Sequence, residues 1–223
     1  MNKIVPKSSL GVVIVLGSVW GLSEAALGMG LRSCAAFVSG SVMTGVALFF
    51  LAAGWMISKR ASRLVVMVFI AAIFKMFDAL LLSLPLNHGA IGNPIFAFFV
   101  EAVAFIVFVK IIREKIIKRP VGQALLGGLS AVLAVNLFPL VKYATGVPAC
   151  IVAGTGYPLS LYYIHFAVFA SMAAVPLGFW VGSKVGSFES RTVKAHVKSG
   201  LDFVLSPAVV ILCLAILAVL RLV

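Results

Sequence analysis

Four ionisable side chains interrupt otherwise apolar runs of this sequence: Glu24, Asp78, Glu101 and His165. Lys75 precedes Asp78 by one helical turn, and Asn136 and Lys142 bring further polar groups to a fifth apolar run. Three carboxyls and an imidazole can accept hydrogen bonds from a ligand, hold a cation or pass protons. Oxygen-rich ligation with one imidazole would also suit a divalent metal. No HxxxD or HExxH spacing supports such a metal, so none is assigned. The sequence also lacks GxSxG, a phosphate-binding loop and CxxC. It offers no nucleophile, nucleotide or redox motif for an enzyme or a bound cofactor, and any use of ATP would need partner chains.

The elements that must carry these groups follow from composition. The 223 residues are 63% hydrophobic and 11% charged, with mean hydropathy +1.20. A soluble domain is about half apolar and about a quarter charged, so this is a polytopic membrane protein. Apolar segments run over Ser9 to Leu31, Cys34 to Ile57, Leu64 to Leu84, Pro94 to Ile112, Val121 to Val141, Pro158 to Val181 and Phe203 to Leu220. Each approaches the roughly 20 residues that cross a bilayer as a helix, and the alternating pattern of a membrane barrel is missing. We expect an all-α transmembrane bundle of about seven helices, with residues 1–223 forming one membrane domain. The seventh segment is aliphatic and reads as a peripheral, lipid-facing helix.

Charge sets the orientation. The net charge of +12 comes from basic residues in short connections rather than in one patch, which argues against nucleic acid. Fourteen of the eighteen Lys and Arg fall on one side if the chain crosses at every segment. The positive-inside rule then places the N-terminus in the cytoplasm and the protein in the plasma membrane.

With the crossings fixed, the helical rise gives depth. Glu24, Glu101 and His165 lie seven residues from the outer end of a segment and Asp78 seven before Pro85, all about 10 Å below the surface. Asn136 falls near the same level, Lys142 and Tyr143 above it, and Lys75 slightly deeper. Gly17, Trp20, Gly21 and Gly28 share a helical face with Glu24, and Tyr162 lies one turn above His165. Any one of these groups has a structural explanation: Lys75 with Asp78 as an internal ion pair, His165 as a satisfied core residue. Their common depth points instead to a pocket reached from outside, lined by Trp20, Glu24, Lys75, Asp78, Glu101, Asn136, Lys142, Tyr162 and His165. The charges in this layer favour a cationic or zwitterionic ligand.

The connections are less decisive. Gly182 to Asp202 is either an amphipathic helix on anionic lipid or a solvated basic linker, with Val193, Val197, Leu201 and Val204 opposite Arg191, Lys194 and Lys198. Asn87 to Pro94 reads as a turn with Pro94 opening the next helix. Thr145 to Tyr157 is either an ordinary loop or a lid over the bundle. Cys34, Cys150 and Cys213 have no metal-ligand spacing and read as free thiols. Lys3 and Lys7 before an apolar run imitate a signal peptide, but the length of the run and the acid at Ser23-Glu24-Ala25 favour a retained helix.

GSVWGLSEAALG in the first segment, Lys75-Met76-Phe77-Asp78, and Asn93-Pro94 followed by Glu101 resemble patterns in the substrate-binding S components of energy-coupling factor transporters. The likeness covers Leu10 to about Val181. It implies a six-helix core, with the C-terminal helix as an addition, and a pocket for a small water-soluble nutrient such as a vitamin or cationic ring compound. It also implies a separate transmembrane coupling protein and ATPase subunits. The alanine-spaced coupling motif of that family is replaced here by Gly17, Gly21 and Ala25. Two other functions stay open: a self-sufficient proton- or cation-coupled transporter, and a non-transporting scaffold locked by its polar layer.

Overall fold

The computed structural model describes residues 9–34, 36–152, 154–194 and 200–222, with side chains described over 10–29, 39–152, 154–187 and 207–222. Helices α1 (Ser9–Cys34), α2 (Ala36–Ser58), α3 (Ala61–Leu81) and α4 (Gly89–Ile111) cross back and forth. The short α5 (Glu114–Ile117) leads to α6 (Pro120–Leu137), which runs through a 3-10 turn (Phe138–Leu140) into α7 (Val141–Thr145). The turn helix α8 (Leu159–Tyr162), the long α9 (Ile164–Lys194) and α10 (Gly200–Leu222) complete the chain. Six helices are long and apolar enough to span a membrane, and Pro207–Leu222 adds a shorter apolar stretch. The protein is thus an all-α, multi-pass integral membrane bundle; among the described residues the sole β feature is an isolated bridge between Ile151 and Pro158.

Between apolar helices in lipid the hydrophobic effect gives little net attraction, so association depends on close packing. The sequence provides that closeness with small residues. A Cβ added at Gly178 would stand 2.3 Å from the Phe49 carbonyl oxygen, and one at Gly127 2.3 Å from that of Ser171. These contacts bind α9 to α2 and to α6, backbone against backbone. On α1, Gly17 meets Met67 and Ile70, and Gly21 meets Phe74, where an added Cβ would come within 2.5 Å. Ala25 packs with Phe74 of α3 and with Cys213 and Leu217 of α10. The small-residue face of α1 is therefore covered from within the chain.

The larger core cluster joins Trp20, Leu48, Leu51, Met67, Phe98, Phe105 and Leu126. Trp20 lies at its centre, stacked on Phe50 at 6.3 Å and tilted against Phe98 at 5.0 Å.

One sequence expectation is corrected. Pro94 does not open α4: His88 caps that helix, its Nδ1 accepting from the Ala90 N–H at 3.2 Å, and Pro94 lies inside the second turn. The cap wins because an exposed ring acceptor satisfies an N–H that a later start would leave free, while proline is tolerated so near a helix start. Helix α10 is peripheral as expected, packing on α1 and α3 through Cys213 and Leu217 while Ile211, Leu212, Val219 and Leu222 stay exposed. The stretch 182–202 continues α9 as helix to Lys194; its residues 195–199 and the side chains of Arg191, Val193, Lys194, Lys198 and Leu201 to Val204 lie outside the described residues.

Candidate ligand-binding site

The end of the bundle opposite the basic connections holds a cavity of about 420 Å³. Its wall is made from the C-terminal halves of α1, α3, α6 and α10, the N-terminal parts of α2, α4 and α9, and α8, and it reaches the middle of α4 at Glu101. Glu24, Glu101, Lys75, Asp78 and Arg221 line it, and each of the first four is more than nine-tenths buried. Exposed Gly40 and Cys150 bring its rim to the surface.

The charges are organised in two groups. Asp78, wholly buried, accepts a hydrogen bond from Lys75 Nζ at 2.9 Å. It also accepts two from Arg221 of α10, through Nε and, at 2.8 Å, Nη2. One carboxylate thus sits between two cations, and this fork fastens α3 to α10 with the charge-assisted, bidentate geometry that arginine favours. Glu24 of α1 and Glu101 of α4 form the second group. They lie near enough to act on one another electrostatically, and neither has an ion-pair partner among the described residues. Lys75 acts on Glu24 from across the boundary between the groups, the Trp20 indole lies beside Glu24, and the Thr44 hydroxyl lies beside Glu101.

Neutral polar atoms complete the wall. Ser41 Oγ donates to the Tyr163 carbonyl at 3.1 Å, tying α2 to the start of α9. Asn93 Oδ1 and Ser160 Oγ are buried without a hydrogen-bond partner among the described residues, and both residues line the cavity. A buried polar atom left unpaired costs about 1–3 kcal/mol. Pro94 has no amide hydrogen to donate to the Ala90 carbonyl. Both Ala90 and Pro94 line the cavity.

The sequence-predicted residues divide by direction. Glu24, Lys75, Asp78 and Glu101 converge on the cavity, and Trp20 lies beneath it, fully buried. Asn136, Lys142, Tyr162 and His165 are exposed and do not line the cavity. Asn136 satisfies itself by donating to the Val132 carbonyl at 2.8 Å, on the far side of α6 from the lining residues Ala134, Val135 and Phe138. Tyr163 and Ala167, one turn apart, take the cavity face at the start of α9. Helical rotation of about 100° per residue then points His165 away, against Phe166, and turns Tyr162 outward.

Sequence reasoning missed Arg221, Tyr163, Ser41, Thr44, Asn93 and Ser160. Arg221 was legible only as the terminal arginine of an apolar run. The loop from Thr145 to Tyr157 folds back far enough for Cys150 to line the cavity, held by Leu159 N–H to the Cys150 carbonyl at 2.8 Å and Val152 N–H to the Tyr157 carbonyl at 2.9 Å. Cys150 and Cys213 are free thiols; the side chain of Cys34 is outside the described residues.

The chain stands alone in comparison. No family model, curated protein or solved structure matches it. Its function has to be argued from the cavity.

Proposed function

We propose that this chain is a membrane-embedded substrate-binding subunit for uptake of a small water-soluble nutrient, set in the plasma membrane with the N-terminus in the cytoplasm and the cavity facing out. The observation that carries this reading is the cavity of about 420 Å³, walled by buried ionisable side chains from α1, α3, α4 and α10. Charges inside a membrane bundle are costly and mark ligand or ion pathways. A volume above about 300 Å³ with a few convergent polar groups is what small-molecule sites offer. A scaffold would need the Lys75, Asp78 and Arg221 fork, but it would have no use for a cavity beside two carboxyls that lack an ion-pair partner among the described residues.

The resemblance to the S components of energy-coupling factor transporters supplies the idea of a separate coupling protein and ATPases. Such partners would dock elsewhere than on Gly17, Gly21 and Ala25, which α3 and α10 already cover.

Native mass spectrometry of protein gently extracted from its membrane tests the reading. The expected result is a co-purified small molecule that is lost in Glu24→Gln and Glu101→Gln. An empty wild-type protein, together with unchanged cellular uptake in both variants, overturns it. Transport by the chain alone in proteoliposomes under an ion gradient would make it a self-sufficient carrier instead.

A further inference from the structure

Resting on the reading of this cavity as a substrate site, we propose that its ligand is a compact zwitterion: a cationic nitrogen seated at Glu24 and Glu101, and an anionic group seated at Arg221 and Lys75. The separation of charge in the wall is the reason. Asp78 is a single negative charge shared by two cations, so the α3 and α10 side of the cavity keeps one positive charge in excess. Arg221 has five N–H donors and directs two of them at Asp78, and Lys75 has three and directs one there. The donors left over, on side chains that are only 10% and 8% exposed, face a cavity and lack water on most sides.

The α1 and α4 side is the reverse. Glu24 and Glu101, 3% and 4% exposed, have no cation among the described residues closer than the electrostatic reach of Lys75. Asn93, on the same helix as Glu101, also lines the cavity. A purely cationic ligand would leave the spare donors of Arg221 unused, and a purely anionic one would leave the Glu24 and Glu101 carboxyls unused. A molecule carrying both charges answers both halves and adds no net charge to a buried site. The wall also carries Phe98, Pro94, Phe138 and Leu82, apolar surface for a short hydrocarbon or aromatic spacer.

Three matched probes separate the possibilities: 4-(aminomethyl)benzoate, benzylamine and 4-methylbenzoate, titrated calorimetrically into the full chain in detergent after removal of co-purified ligand. The zwitterion is expected to bind at least tenfold more tightly than either single-charge probe. Arg221→Gln is expected to lower its affinity to that of benzylamine while leaving benzylamine unchanged, and Glu101→Gln to weaken both. Because Arg221→Gln also loosens α10, Arg221→Lys serves as the folded counterpart, and retention of part of the zwitterion preference is expected there.

Equal binding of benzylamine and the zwitterion, equal binding of 4-methylbenzoate and the zwitterion, or no binding by any of the three overturns the proposal. These outcomes are distinct from failure of the substrate site itself. If a small molecule co-purifies and depends on Glu24 while the probes fail, the site stands and its zwitterion preference falls; if nothing co-purifies and uptake ignores Glu24 and Glu101, both fall.

Discussion

Asp78 is the side chain that ties α3 to the last turn of α10. It is wholly buried, and its partners come from its own helix, through Lys75, and from the last turn of α10, through Arg221. Removing one member of a buried charge group leaves the others unpaired, which costs more than the group contributes when intact. Asp78→Asn strands two cations and is expected to destabilise the protein by about 3–5 kcal/mol. Arg221→Gln leaves Lys75 in place and should cost less. The double variant is expected to be more stable than the sum of the two single losses predicts, with a coupling of about 0.5–3 kcal/mol. Thermal unfolding in detergent across the four proteins measures this, and strict additivity would show that Arg221 and Asp78 do not act as a pair.

Helices, rather than single residues, decide which of the polar groups meet. Depth along a helix follows from a fixed rise per residue, so the common level of Glu24, Asp78 and Glu101, with Lys75 slightly deeper, was legible in the sequence. Burial did the rest, because a charge that cannot face lipid must face the bundle. Rotation about the helix axis is set by the neighbours a helix packs against, which apolar runs this uniform leave open. Asn136, Tyr162 and His165 therefore had plausible depths and outward directions. Arg221 escaped notice for another reason: an arginine at the end of an aliphatic segment is also what an interfacial anchor looks like. The packing that fixes rotation rests on glycine, and it can be tested there. Gly178→Ala forces a methyl to within 2.3 Å of the Phe49 carbonyl oxygen and should cost about 1–3 kcal/mol by pushing α9 off α2. Gly186→Ala, on the same helix with its nearest neighbour at 4.0 Å, should be neutral or stabilising by up to about 1 kcal/mol. Equal thermal shifts in the two variants would deny that close backbone contact holds α9 in place.

For the whole molecule, the cavity end and the basic end are opposite poles of one bundle, and that polarity yields a prediction about orientation. Lys59, Arg60 and Arg63, the run from Lys110 to Arg119, and Lys184 lie at one end, while every residue lining the cavity lies at the other. On the proposed orientation the basic connections stay on the cytoplasmic side and the cavity opens to the exterior. Cys150 is a native reporter, exposed and on the cavity rim. In a Cys34→Ser, Cys213→Ser background, a membrane-impermeant maleimide applied to intact cells is expected to label Cys150. Under the same conditions Lys115→Cys, in the exposed basic connection after α4, should react only once the membrane is opened. Labelling of Lys115→Cys in intact cells, with Cys150 protected, would invert the molecule and turn the cavity toward the cytoplasm, where it would release rather than capture a nutrient. The substrate-bound state adds a second readout in the same experiment. A molecule seated between Glu101 and Arg221 lies under the loop that carries Cys150, so a bound ligand should slow the labelling rate without changing the side from which the reagent arrives.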